Sequence, residues 1–222
     1  MGSIIVDNVS YSYRTRYQTV HAVRDATCRF DQGKLYAITG ESGSGKSTLL
    51  SLLAGLDLPD EGEIKVDDVD MREINRNDFR KSSASVVYQA FHLLPLLTLA
   101  ENVMLPMELN HANKTERKAK AAELLEKVGI PKEAHRKYPK MMSGGEQQRV
   151  AVARCLAAGG KIILADEPTG NLDTENSNMI MGILLRLARE DDYLVIVVTH
   201  NADIAEQADI EYRMKDGTIT EM

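Results

Sequence analysis

The 222 residues suffice for one α/β domain with an accessory lobe, and 43% hydrophobic with 27% charged content is ordinary for a globular chain. A formal net charge of −6 argues against nonspecific nucleic-acid binding, which needs a basic footprint. No apolar run nears the ~18 residues of a membrane span, no signal peptide is evident, and Cys28 and Cys155 lack metal-ligand spacing, so we expect a soluble chain with two buried thiols that meets any membrane through a partner.

Residues 3–9 and 27–39 read as β-rich, with a turn at Asp31-Gln32-Gly33. The stretch Tyr11–Tyr17 between them reads as a polar loop. Lys34-Leu35-Tyr36-Ala37-Ile38-Thr39 has the composition of a buried strand. It runs into Gly40-Glu41-Ser42-Gly43-Ser44-Gly45-Lys46-Ser47, the pattern GxxxxGK[ST]. Leu49, Leu52, Leu53 and Leu56 then fall on one face of a helix. A loop that ends at a helix N-terminus offers free N–H groups and the positive end of a dipole to an anion. Its glycines let the backbone wrap phosphates, Lys46 reaches the β- and γ-phosphates, and the Ser47 hydroxyl ligates Mg²⁺. The expected cradle is Gly40, Glu41, Ser42, Gly43, Ser44, Gly45, Lys46, Ser47 and Thr48.

A turn at Leu58–Gly62 precedes an alternating strand, Glu63–Asp67, and residues 84–88 read as another strand. From about 98 to 157 the pattern is helical. Leu99–Glu108 is a helix broken at Pro106. Thr115–Val128 is a helix with Ala119, Ala122, Leu125 and Val128 inward, its Lys114–Lys120 charges facing solvent. We therefore expect one domain over 1–222, with an α/β core in about 1–97 and 158–222 and a helical subdomain in about 98–157.

Met142-Ser143-Gly144-Gly145-Glu146-Gln147-Gln148-Arg149 opens a helical pattern that reaches Ala157. A Ser-Gly-Gly at a helix start is a second anion site. One nucleotide does not need two such cradles in one chain. Two chains facing head to tail would, each lending Ser143, Gly144 and Gly145 to the nucleotide on the other's loop. Lys161–Ala165 is an apolar strand followed by Asp166 and Glu167, which brings two carboxylates to the carboxyl edge of a sheet. Asp166 suits Mg²⁺, and Glu167 suits a general base that polarises an attacking water. A helix over Asn176–Glu190 with Ile180, Leu184 and Leu187 inward comes next. A strand, Leu194–Thr199, ends at His200. A hairpin of Glu211–Met214 and Thr218–Thr220 turns at Asp216-Gly217. Strands alternating with helices imply a mainly parallel sheet.

The order of these motifs, with Gln89, Asn171-Leu172-Asp173 and His200, resembles an ABC-type ATPase nucleotide-binding domain over nearly the whole chain. Leu164–Asp173 and Gln89–Pro95 resemble one branch of it. That branch holds the ATPases of lipoprotein release, macrolide export, antimicrobial-peptide export and the cell-division ABC pair. The resemblance implies a P-loop NTPase fold with a mainly parallel core sheet, an antiparallel β lobe and an inserted helical subdomain. It implies ATP and Mg²⁺ as cofactors. It implies that Tyr13 stacks on adenine, and that Gln89 touches Mg²⁺ and the attacking water and relays nucleotide state to Phe91–Pro95. Ser143 and Gly145 would contact the γ-phosphate of the facing chain, Asp173 would bridge the two sites, and His200 would bind the γ-phosphate and orient the water. The implied partners are a second copy and an integral membrane permease docking near Phe91–Pro95, at the inner face of the cell membrane. A regulatory ATPase that signals through a membrane partner, or a soluble one acting on nucleic acid or ribosomes, is the alternative. The family signature usually carries Leu and Gln where Met142 and Glu146 stand. Met142 is a mild packing change. Glu146 either weakens ATP-driven closure or faces ribose or solvent. No role is assigned to His21, His92, His111 or His135.

Overall fold

A computed structural model describes residues 2–222. In chain order the elements are β1 (Ile4–Arg14), β2 (Thr19–Phe30), β3 (Leu35–Thr39), α1 (Lys46–Leu53), β4 (Glu61–Val66), β5 (Val69–Asp70), α2 (Arg76–Ser82) and β6 (Ala84–Tyr88). The chain continues through α3 (Leu99–Leu109), α4 (Lys114–Lys127), α5 (Gly144–Ala157), β7 (Ile162–Asp166), α6 (Thr174–Arg189), β8 (Leu194–Val198), α7 (Ala202–Ala205), β9 (Ile210–Lys215) and β10 (Thr218–Glu221). The central sheet has the order β10-β9-β3-β8-β7-β6, parallel throughout except for the final β9–β10 hairpin. An antiparallel sheet, β2-β1-β4-β5, forms the second layer. The expected fold class, a parallel-sheet P-loop NTPase core with an antiparallel β lobe and an inserted helical layer, is the one observed.

The central strands are apolar along their whole length because both faces are covered. Every residue of β3 and β8 is buried. The period-2 alternation of β8 sorts its side chains into two cores. Val195 and Val197 join Val87, Leu99, Leu125, Val150, Ile180 and Leu184 beneath the helices. Leu194, Ile196 and Val198 join Leu49, Leu52, Leu53, Phe30 and Ile38 between α1 and the antiparallel sheet. Cys28 and Cys155 are free and buried, and burial pushes their thiols up to about 12 and about 11. No helix among the described residues is long and apolar enough to cross a membrane.

Four local expectations are corrected. Tyr11–Tyr17 is mostly strand, because Tyr11 and Tyr13 pair with Val23 and Val20 of β2, and aromatic residues suit a pleated surface. Helix α3 passes through Pro106 and ends at Leu109; the proline lacks a donor, but its carbonyl accepts from the Asn110 N–H at 3.1 Å and closes the last turn. Helix α1 stops at Leu53, so Leu56 lies beyond it and is 44% exposed. Helix α4 turns Ala121, Leu124, Leu125 and Val128 inward, while Ala119 is exposed and Ala122 half-buried. Both faces satisfy helical spacing, and the one carrying the adjacent leucine pair buries more apolar surface.

Candidate functional site

The loop between β3 and α1 forms the floor of a cleft. Gly40 and Gly45 both take positive φ, 147° and 106°. A Cβ on Gly40 would stand 2.2 Å from the Met214 carbonyl oxygen, and one on Gly45 would stand 2.1 Å from that of Ala22. No side chain fits at either place, so the loop backbone packs directly on its neighbours. Lys46 opens α1. Its buried stem carries Nζ across the loop, where it donates to the carbonyls of Gly40 and Glu41 at 2.8 Å each.

The cleft above the loop has a volume of about 390 Å³ and is lined by Tyr13, Val20, His21, Ala22, Ser42, Gly43, Gly45, Lys46, Ser47, Thr48, Glu167, Val198 and His200. Tyr13 is one of its walls. It is 45% exposed, packs edge-on to Tyr11, and its hydroxyl lies 3.3 Å from Thr48 Oγ1. Glu167 and His200 also line the cleft, with His200 Nδ1 2.7 Å from Glu167 Oε1. Glu167 has φ 49°, a left-handed backbone that a residue with a Cβ adopts at a cost. Its N–H donates to the Val198 carbonyl at 3.0 Å, which locks the kink against β8. A second cavity of about 380 Å³, lined in part by Thr169, Leu172 and Thr199, lies against the same Glu167–His200 pair.

Ser47 Oγ donates to Asp166 Oδ1 at 3.2 Å. Burial raises the Asp166 carboxyl above its ordinary range; the Ser47 hydrogen bond opposes this, and the neighbouring Glu167 charge adds to it. One hydroxyl and one carboxylate at this separation fit Mg²⁺, which keeps most of its shell for phosphate oxygens and water rather than a protein cage. Among the described residues no cluster of three or more His, Cys, Asp or Glu is disposed to hold a metal.

The remaining expected residues lie outside the cleft. The Gln89 amide donates to Asn171 Oδ1 at 3.3 Å, and its nitrogen is 2.8 Å from where a Gly170 Cβ would stand. Gln89 does not line the cleft. Ser143 caps α5, with Gly144 facing the Phe91 ring and Gly145 against Asn176, whose Oδ1 leaves no room for a Cβ there. None of the three lines the cleft. Asp173 caps α6, accepting from the Asn176 N–H at 2.8 Å and from its side-chain amide at 3.0 and 2.9 Å, and these bonds hold its carboxyl below the usual range. Glu146 is half-exposed, and one of its oxygens accepts from the Ser143 N–H at 2.8 Å and the Ser143 hydroxyl at 2.9 Å. Of Phe91–Pro95, Phe91 turns toward Gly144 and Leu93 packs on the core, while Leu94 and Pro95 stay exposed.

Sequence reasoning passed over Asn176 and Arg154, and gave no individual role to His21, Asn171 or Gln148. His21 reaches the cleft because it pairs with Ser12 across β1 and β2, and its Nδ1 lies 2.9 Å from Ser12 Oγ. No local signal carries that register. Gln148 and Arg154 grip the carbonyls of Tyr88, Phe91 and His92, on both sides of Gln89.

A family model described as ABC transporter matches residues 23–170. The chain belongs to the ABC transporter family. It is an ABC ATPase, and relatives align along almost its full length. The ABC transporter ATP-binding protein YclH of Bacillus subtilis is 39% identical over 99% of this chain and 96% of its own. The lipoprotein-releasing system ATP-binding protein LolD of Saccharophagus degradans is 42% identical over 96% of this chain and 94% of its own. Among solved structures, a dimeric post-hydrolysis state of the ATP-binding cassette MJ0796, from Methanocaldococcus jannaschii and bound to ADP and Pi, superposes with a TM-score of 0.90. It is 35% identical, with 99% of this chain and 97% of that chain covered.

Proposed function

We propose that this ABC ATPase works as a head-to-tail pair enclosing two ATP·Mg²⁺ and drives a separate membrane permease, in the manner of a lipoprotein-release or related export system. The observation that carries the reading is the division of the motifs. Lys46, Ser47, Glu167 and His200 converge on one cleft, while Ser143–Gly145 present a second anion-binding helix start elsewhere on the surface. A second copy completes the site. The dimeric cassette MJ0796 and the likeness to LolD add support.

In this reading Tyr13 stacks on adenine and the loop N–H groups with Lys46 hold the phosphates. Thr48 and the loop residues Gly40, Glu41, Ser42, Gly43, Ser44 and Gly45 complete the cradle. Ser47 and Asp166 would hold Mg²⁺, which when bound neutralises charge shared by the β- and γ-oxygens. Glu167 takes a proton from the water as its oxygen attacks the γ-phosphorus and the bond to ADP breaks. His200 holds the Glu167 carboxylate in place at 2.7 Å. Gln89 completes the water site after leaving Asn171. Ser143, Gly144 and Gly145 of the facing copy meet the γ-phosphate, and Asp173 lies at the seam. Catalysis is positioning plus charge neutralisation.

The permease contact extends from Leu94, Pro95 and the 88%-exposed Leu96 toward a groove of about 330 Å³ lined by Leu56, Leu105, Pro106 and Leu109, with Arg80, Lys81 and Arg154 among its lining. An apolar floor with cations suits an amphipathic helix bearing carboxylates. Such a subunit acts at the cytoplasmic face of the membrane. The test is light scattering of Glu167→Gln with and without ATP·Mg²⁺. A monomer that becomes a dimer only with ATP is expected, and a mass independent of nucleotide at protein concentrations well above micromolar would overturn the pairing.

A further inference from the structure

The start of α5 already holds an anion of its own. Glu146 is the third residue of that helix, and its carboxylate folds back to take both the N–H and the hydroxyl of Ser143, while the Ser143 oxygen accepts from the Glu146 N–H at 3.3 Å. The arrangement is a complete capping box. These are the donors that the proposed function, on which this inference rests, gives to the γ-phosphate of the facing copy. A Ser143 hydroxyl that donates to Glu146 cannot donate to phosphate at the same time. The two hydrogen bonds hold the Glu146 carboxyl below its usual range, so it is charged at neutral pH.

We infer that Glu146 is a positioning residue that acts as a resident anion at the signature helix and sets the ATP concentration at which two copies close. Before closure it satisfies the helix start and keeps Ser143 in its rotamer. On closure the phosphate displaces it, and its charge remains beside the incoming triphosphate. Both effects oppose closure: one is a lost pair of hydrogen bonds, the other like-charge repulsion at a seam that water is leaving.

Glutamine separates the charge from the shape. Glu146→Gln keeps an oxygen for the Ser143 N–H, since a capping box accepts Gln as well as Glu. The chain also supplies a control. At α3, Glu101 makes the same box with Thr98, with distances of 2.8 Å to the N–H, 2.7 Å to the hydroxyl and 3.3 Å for the return bond. Glu101→Gln therefore changes capping alike but lies in no proposed phosphate site. Each substitution is placed in the Glu167→Gln background, and dimer formation is followed by light scattering as ATP·Mg²⁺ is titrated. Thermal melting without nucleotide confirms that both variants fold.

Glu146→Gln should lower the ATP concentration for half-maximal dimer by about tenfold, the order of one partly screened like-charge contact removed. The gap should narrow as salt rises. Glu101→Gln should leave the threshold at the parental value. An unchanged or higher threshold for Glu146→Gln, or an equal shift for Glu101→Gln, overturns the inference while the sandwich stands. If the Glu167→Gln parent never dimerises with ATP, the proposed function fails and takes the inference with it.

Discussion

At the scale of single residues, Asp166 shows function set against stability. Burial raises its carboxyl above the ordinary value. For an acid raised on folding, the charged form is disfavoured in the native state, so the penalty is fully present above the folded pKa. It shrinks as pH falls from the folded value to the unfolded one and is gone below that. Asp166→Asn should thus raise the melting temperature at neutral pH while hydrolysis is lost. A melting temperature that falls would show that Asp166 is a structural anchor for Ser47 instead. Lys46→Ala removes the cation facing the phosphates, and charge-assisted contacts are the strong ones. It should abolish turnover and weaken ATP binding, measured by calorimetry; near-normal turnover would remove the cradle from the mechanism. Glu167→Gln keeps its shape and its contact with His200 but cannot accept a proton, so single-turnover hydrolysis should slow by about 10²–10⁴-fold with ATP still bound. If its rate matches the parent, His200 with Gln89 becomes the better candidate for activating water.

At the scale of elements, α5 is the piece that joins the expected motifs. Its first residue pair borders Phe91 and Asn176, its middle sends Gln148 to the Tyr88 carbonyl at 3.2 Å, and its last turn sends Arg154 to the Phe91 and His92 carbonyls at 3.1 and 2.6 Å. Each cationic hydrogen bond contributes roughly 1.5–3 kcal/mol. The His92 bond is solvent-exposed and worth less, so Arg154→Ala should lower the unfolding free energy by about 2–4 kcal/mol in urea titration, and Arg154→Lys, which keeps one donor group, should recover part of it. What the sequence made legible follows the same division. The loop at Gly40–Ser47, the apolar strands and the Asp166-Glu167 pair were legible because their signals are local: a fixed spacing, a continuous apolar run, a strand end. Short α2 and α7 were not, since α2 buries one side chain, Phe79, and is identified mainly by its Asn75 cap. The α4 face was misassigned because several alanine and leucine sets satisfy one period, and only the packing partner chooses among them. His21 and Asn176 escaped because each matters through a residue far away in sequence or across a register.

At the scale of the whole molecule, the two-sided cores make the central sheet a rigid plate from which the cleft, the signature helix start and the Leu94–Leu96 surface project separately. Charged substitutions at Leu94 and Leu96 should accordingly leave ATP hydrolysis by the isolated chain within about twofold while abolishing copurification with a coexpressed permease, because surface changes away from packed or phosphate-binding groups are nearly neutral. Retained copurification of a folded variant would move the contact elsewhere. One property of the cores also matters at the bench. With both thiols pushed well up by burial, Cys28 and Cys155 present little thiolate at neutral pH, behind a shell of packed side chains. The protein's own two thiols should therefore react slowly with maleimides. A single cysteine placed at solvent-facing Tyr17 or Leu96 would take a maleimide dye or spin label alone, so the approach of two copies could be followed by distance measurements without first stripping the chain of its own sulfur.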